Sequence, residues 1–251
     1  MIPKVIHYIW LGGKPLPELV KKCMESWKKY CPDWEIKRWD ESNLDVNFCD
    51  YCRDAYKEKK YAFASDVLRF KIIKENGGVY LDVDVELLKP LDDLLNQKCF
   101  MGYELWGDIF SIAPGLILGS EKNGVIVSEI FDMYLKEKLY NEDNSINFET
   151  VCMKTMKYMV EKYGIQPDGK TIHLEDVSIY SPEYFCPMNG LTKKMQFLTS
   201  ETYSKHLYLA SWVPKESFFK IIKNNVKKFI IKIIGKKNIN KLKNIFKRRK
   251  K

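Results

Sequence analysis

Several absences narrow this 251-residue sequence before any motif is read. No apolar run approaches the ~18 residues of a membrane-spanning helix, so a spanning segment is not expected. Lys4 and His7 interrupt the apolar residues at the N-terminus and Gly12-Gly13 ends them early, so no signal peptide is expected either. Internal repeats are lacking. The seven cysteines, at 23, 31, 49, 52, 99, 152 and 186, are odd in number and have no repeating spacing, which excludes a disulfide framework and reads as reduced thiols in a cytosolic protein. Cys49-Asp50-Tyr51-Cys52 has the gap of a redox or zinc half-site, but no second pair and no nearby histidine completes it. Acid is missing from one region altogether: Ser217 to Lys251 holds 14 Lys or Arg and no Asp or Glu. The overall charge of +9 is therefore a property of the tail, because the first 216 residues carry 28 basic and 33 acidic groups, a net of −5.

What is present is enough apolar content, 45%, to bury one substantial core. Val5 to Leu11 reads as a buried first strand closed by Gly12-Gly13. Pro15 and Pro17 precede an amphipathic helix to about Tyr30, with Leu19, Val20, Cys23, Met24 and Trp27 at helical spacing, and Trp34 to Trp39 alternates like a strand. Tyr61 to Glu75 is the next predicted helix, stopped by Asn76-Gly77. Cys99 to Tyr103 and Gly115 to Gly119 read as strands, Ile126 to Leu139 as a helix, and Leu207 to Leu209 as a late strand. Alternation of strand and helix predicts an α/β sheet with active groups at strand ends.

The densest signal is Gly77-Gly78-Val79-Tyr80-Leu81-Asp82-Val83-Asp84-Val85. A period of two puts Val79, Leu81, Val83 and Val85 on one face of a strand and Tyr80, Asp82 and Asp84 on the other. Carboxylates are disfavoured inside strands, and two of them ~7 Å apart repel, so a positive group is expected between or beside them. A divalent metal is the simplest candidate, since Mg2+ and Mn2+ are commonly held by one or two carboxylates with water and substrate phosphate completing the shell. The competing reading of Asp-x-Asp alone is a strand end with two solvated carboxylates. Asp66 and Arg69 lie three apart on the predicted helix and share its face, where an ordinary surface ion pair is the alternative to a site role.

Four features stand together: Ile2-Pro3-Lys4-Val5-Ile6-His7-Tyr8-Ile9-Trp10, Ala64-Ser65-Asp66-Val67-Leu68-Arg69, Gly77 to Asp84, and His206 five residues before Ser211-Trp212. In this combination and order the chain resembles the sugar-nucleotide glycosyltransferases of family 32, which include capsular polysaccharide transferases, yeast outer-chain mannosyltransferases and relatives of the clostridial toxin glucosyltransferase domain. The resemblance covers residues 1 to about 125 and returns near 204 to 214. It implies a Rossmann-like GT-A fold, a nucleoside-diphosphate sugar donor such as a UDP-sugar, Mn2+ or Mg2+, and transfer with retention of configuration. It further implies that Asp84 ligates the metal, that Asp82 reaches the ribose and the metal's water shell, and that Trp10 stacks on the base beside the backbone of Ile9. Asp66 and Arg69 would then grip the sugar hydroxyls as acceptor and forked donor. Tyr80 could cover the sugar or diphosphate, with packing as its alternative. His206, with Ser211 and Trp212, would touch metal or diphosphate, or else be a structural histidine. His7 is expected to anchor the first strand or the nucleotide loop.

Residues 1–216 are thus expected to form the catalytic domain and 217–251 a separate tail. Phe218, Phe219, Ile221, Ile222, Val226, Phe229, Ile230, Ile233 and Ile234 recur at helical spacing among lysines, the pattern of an interfacial helix on an anionic membrane. A core helix followed by a disordered basic tail is the alternative. A membrane role would suit a lipid-linked oligosaccharide acceptor of capsule or O-antigen synthesis, with the enzyme peripheral on the cytoplasmic face of the membrane. Two rival functions compete with this reading: a nucleic-acid binder using the tail, disfavoured by the acidic body and the Phe/Ile stripe, and an Asp-x-Asp phosphohydrolase, disfavoured because a strand-helix-strand unit precedes the motif.

Overall fold

In the computed structural model, which describes residues 1–147 and 149–209, the N-terminal apolar run becomes strand β1 (Val5–Ile9). Its alternation feeds two cores, one on each face of the sheet: Ile6 and Tyr8 pack with Trp27, Val79 and Phe100, whereas Ile9 packs with Val67, Leu68 and Met101. Helix α1 (Glu18–Tyr30) starts after Pro17, a position where the missing N–H removes no helix bond, and buries Val20, Cys23 and Trp27. Strand β2 (Glu35–Trp39) then pairs parallel with β1. This strand-helix-strand unit matches the sequence reading.

Helices α2 (Asp50–Lys57) and α3 (Tyr61–Asn76) pack on each other over the second core. Cys49 stands at the start of α2, so the Cys49-Cys52 spacing is one helical turn rather than a metal half-site, and all seven cysteines are free. After α3 come β3 (Gly78–Tyr80), β4 (Val85–Leu87), β5 (Cys99–Trp106), β6 (Ile109–Ile112) and β7 (Leu118–Ser120). Helices α4 (Val125–Tyr134) and α5 (Val151–Tyr163), strands β8 (Ile172–His173) and β9 (Ser178–Tyr180), the single turn α6 (Pro182–Phe185) and strand β10 (Ser204–His206) complete the order. The main sheet runs β2-β1-β3-β7-β5-β9-β8, with β6 added to β5. Pairs β1–β2, β1–β3 and β5–β9 are parallel and the others antiparallel, so the expected α/β class is observed with a mixed sheet. A separate ribbon pairs β10 with β4.

Four sequence expectations are corrected. Residues 79–85 are not one strand: β3 ends at Tyr80, Leu81 N–H donates to His7 O, Asp82 N–H to Gly115 O, and Val85 N–H closes a turn onto Asp82 O. The apolar partition survives this break, since Val79, Leu81 and Val85 share one core and Tyr80 enters the other. The strand expected at Gly115 to Gly119 is Leu118–Ser120, because Pro114-Gly115 forms the turn that meets Asp82. The helix expected from Ile126 to Leu139 stops at Tyr134. The late strand is Ser204–His206, not Leu207 to Leu209, because its register is set by antiparallel pairing with β4 and Tyr208 takes a left-handed φ of 50°. Helices α2 and α5 were not read from the sequence. Ser211, Trp212, the 216/217 boundary and the amphipathic tail lie outside the described residues.

Candidate active site

The bend between β3 and β4 carries both motif carboxylates, and each has its own positive partner. Arg69 Nη2 lies 2.9 Å from Asp66 Oδ1 and 3.6 Å from Asp82 Oδ1. His206 Nε2 lies 3.1 Å from Asp84 Oδ1. The charge expected beside the two acids is therefore supplied twice by the protein itself, from α3 and from β10. Helix α1 braces the bend, because the buried Trp27 donates its Nε1–H to Val85 O at 2.8 Å.

Asp66 and Arg69 are not a surface ion pair. Arg69 is 4% exposed and its Nε–H is held by Ser65 O, so its guanidinium is fixed before any ligand arrives. Burial pushes the Asp66 carboxyl up to about 7, against the opposing pull of Arg69. Tyr80 donates its hydroxyl to Asp82 Oδ1 at 2.8 Å and lies under the Arg69 guanidinium. Tyr80 is buried, so of its two expected roles the structure gives it packing and the orientation of Asp82 rather than cover for a sugar.

Asp84 is the most thoroughly tied of the acids. Its Oδ2 accepts from Leu209 N–H at 2.8 Å, its main-chain oxygen accepts from Leu207 N–H, and its Oδ1 meets His206. Burial opposes both charges, yet mutual attraction holds Asp84 below the usual carboxylate range and His206 well above the usual imidazole range. His206, expected to touch metal or diphosphate or else to be structural, is placed against Asp84 through its Nε2.

His7 is an anchor and does not face a ligand: it is buried, its Nε2–H donates to Gly77 O at 2.9 Å and its Nδ1 accepts from Trp39 Nε1–H. Burial pushes it down to about 4, so it stays neutral. A side chain at Gly78 would collide with this imidazole, and its φ of 101° favours glycine in any case. Trp10 and the end of β1 at Ile9 lie where the chain turns through Gly12; Trp10 is half-buried and donates its Nε1–H to Lys14 O. Two participants escaped the sequence reading. A Cβ on Gly115 would come within 2.1 Å of Asp82 Oδ2 and 2.4 Å of Arg69 Nη1, so only glycine allows those groups to meet there. Pro114-Gly115 is a turn signal that could have flagged it. The Leu209 amide carries no side-chain signature at all.

Among the described residues, no three His, Cys, Asp or Glu side chains are arranged to cage a metal ion. Asp82, half-buried, and Asp84, buried, carry hard carboxylate oxygens on one bend, the donor type that Mn2+ or Mg2+ takes together with water and phosphate.

Residues 17–101, which span α1, α3 and this bend, match the family described as glycosyltransferase sugar-binding region containing DXD motif. That match gives the chain a glycosyltransferase sugar-binding region with its DXD motif at Asp82-Val83-Asp84. The chain is similar to an uncharacterized glycosyltransferase of Acanthamoeba polyphaga mimivirus, 28% identical over 93% of this chain and 92% of that one. It is also similar to inositol phosphoceramide mannosyltransferase 3 of Schizosaccharomyces pombe, 34% identical over 40% of this chain and 29% of that one. Among solved structures, the PaToxG glycosyltransferase aligns with a TM-score of 0.48 at 18% identity, over 65% of this chain and 70% of that one. The chain therefore spans nearly all of its viral relative but under a third of the yeast enzyme.

Proposed function

We propose that this enzyme is a GT-A-type retaining hexosyltransferase that uses a nucleoside-diphosphate sugar, with UDP as the nucleotide, and a glycan acceptor on a lipid-linked surface-glycan intermediate. The observation that carries this reading is the convergence of Asp66, Arg69, Asp82, Asp84 and His206 on one bend. Arg69 and Asp66, held rigidly on α3, present a forked donor and an acceptor to the sugar hydroxyls. Trp10 stacks on the base, and the backbone at Ile9 reads its edge. His206 adds positive charge next to the departing diphosphate. Asp84, with Asp82, would hold Mn2+ or Mg2+, whose chemistry there is to neutralise charge growing on the leaving diphosphate oxygens. The acceptor hydroxyl attacks the anomeric carbon on the face from which the diphosphate leaves, and its proton passes to the departing phosphate oxygen. The basic tail would hold the enzyme on the cytoplasmic face of an anionic membrane, near a lipid-linked acceptor. Neither the phosphohydrolase nor the nucleic-acid reading is favoured by the family match.

The test is a panel of nucleotide sugars given to the full-length chain with Mn2+, Mg2+ or excess chelator. Metal-dependent hydrolysis of a UDP-hexose, and an α-linked product from an α-linked donor by NMR, are expected. A β-linked product, or turnover that ignores chelator, refutes the reading.

A pH profile follows from Asp66. Its carboxyl titrates near 7 and only the carboxylate pairs fully with Arg69 and accepts a sugar hydroxyl. Turnover of saturating donor should therefore rise with pH through neutrality, and Asp66→Asn should flatten that limb while lowering the plateau. A wild-type limb retained in the Asn variant would assign the titration to another group.

A further inference from the structure

The loop of residues 187–200 is anchored at its base and bare beyond it. Asn189 is buried and clasps the loop to the hairpin of β5 and β6: its Nδ2–H donates to Gly107 O at 2.7 Å, and its Oδ1 accepts from the amides of Gly107, Leu191 and Thr192. The loop also closes on itself, since Asn189 N–H donates to Lys194 O at 2.9 Å and Gln196 N–H to Pro187 O at 2.8 Å. A buried amide engaged on both ends, with paired main-chain groups around it, specifies where the loop sits. What the loop presents there is apolar. Leu191, Met195 and Leu198 are 45%, 45% and 54% exposed, and they make up three of the seven large apolar side chains that stand in solvent among the described residues. Scattered singly, such side chains need no explanation; three within eight residues of a fixed loop mark a contact surface.

Charge and position say what that surface meets. Residues 187–200 contain Lys193 and Lys194 and no acid, within a body of 216 residues whose net charge is −5. The loop also touches the end of the described chain: a Cβ on Gly190 would lie 2.9 Å from the Tyr208 ring, and Lys193 Nζ stands 3.9 Å from its centroid. Leu209 follows, and from there the sequence runs on into the segment whose residues Ser217 to Lys251 hold 14 Lys or Arg and no acid. The apolar loop and the start of the basic tail are therefore neighbours. Tyr208 lies in turn 4.1 Å from the His206 ring, which carries the hydrogen bond to Asp84, so a single aromatic ring separates the loop from the candidate active site.

We propose that the loop from Leu191 to Leu198 is a membrane-contacting element, which sinks its apolar side chains into the interface of an anionic bilayer and sets the bend beside that surface. The basic tail is not its partner, because tail and loop carry charge of one sign and repel each other while favouring the same anionic surface. A second copy meeting through this face would bring like lysines and two basic tails together. An anionic bilayer matches both features of the loop, taking Leu191, Met195 and Leu198 below its headgroups and pairing Lys193 and Lys194 with their phosphates. Contact through the loop and the tail together fixes the orientation of the enzyme, which a tail alone does not, and turns the His206 end of the site toward an acceptor carried on lipid. The assignment rests on the membrane part of the proposed function and adds to it a second contact, built into the folded body.

The experiment is co-sedimentation of the full-length chain with vesicles of phosphatidylcholine alone and of phosphatidylcholine with phosphatidylglycerol, alongside sedimentation velocity without lipid. Wild type should bind the anionic vesicles in preference to the neutral ones. The double variant Leu191→Glu, Leu198→Glu should partition onto anionic vesicles about 10-fold more weakly at unchanged Tm, and Leu198→Trp should partition about 3-fold more strongly. Equal partition of wild type and the Glu variant overturns the loop's role while leaving contact through the tail standing. A wild type that binds neither vesicle overturns loop and tail together. A dimer that the Glu substitutions abolish, with partition unchanged, gives the face to a second copy and overturns the proposal as well. Partition is read without turnover, so the glycosyl-transfer reading stands or falls separately, on donor hydrolysis.

Discussion

Asp84→Asn is expected to lower kcat by about three orders of magnitude, or ~4 kcal/mol of transition-state stabilisation, and to lower Tm as well, because the buried pair with His206 is broken. Asparagine keeps the shape of the side chain and an oxygen for the Leu209 N–H, so the tie between the bend and the segment after β10 persists. What it removes is charge. The leaving diphosphate then loses the cation that Asp84 would ligate, and His206 loses the carboxylate that favours its protonation. Excess chelator should bring the wild-type enzyme to a similar rate, and added Mn2+ should restore wild type but not the variant. A variant within about 3-fold of wild-type kcat would remove Asp84 from the chemistry.

Arg69→Ala should damage both activity and stability. The guanidinium is 4% exposed and serves Asp66 and Asp82 together, so its removal leaves a buried carboxyl without its counter-charge, a loss of roughly 3 kcal/mol where that carboxyl is ionised. The sign with pH is distinctive. Burial already raises Asp66 to about 7, and loss of Arg69 raises it further, so the two proteins carry the same Asp66 cost below about 7 and diverge as pH rises above it toward the variant's higher folded pKa. Thermal melts of the variant should therefore approach wild type in acid and fall away from it above neutrality. Arg69→Lys keeps the charge but not the fork that reaches Ser65 O, Asp66 and Asp82, and should recover stability more fully than kcat. A pH-independent loss of Tm in Arg69→Ala would show that packing, not charge, is what the residue supplies.

Much of this enzyme is readable from short-range pattern. The strand-helix-strand start, α3 and its glycine stop, and the two-faced apolar partition of residues 79–85 follow from periodicities within a few residues of one another, whereas the grouping of Asp66, Arg69, Asp82, Asp84 and His206 was legible only through the resemblance to a known family. Side-chain period and backbone propensity are local properties, so a linear reading captures them. That reading failed where a distant backbone group intervened. The expected carboxylate strand is broken because Asp82 N–H is drawn to Gly115 O, more than thirty positions away, and the late strand took its register from β4 rather than from its own apolar run.

Pattern also left open which of two roles each polar residue plays, and only packing chose between them. Asp66 and Arg69 look the same in sequence whether they are a solvated i,i+3 pair or a buried one; the packing around α3 made them the latter. His7 and Tyr80 were turned inward to hold the glycine turn and Asp82. Charge state followed from the same enclosure, since the shifts of Asp66, Asp84 and His206 depend on how much water the fold removes and on which opposite charge it brings close. The residues that can do the chemistry are thus written locally. Their desolvation, pairing and orientation are long-range consequences of chain segments more than a hundred residues apart meeting at one bend.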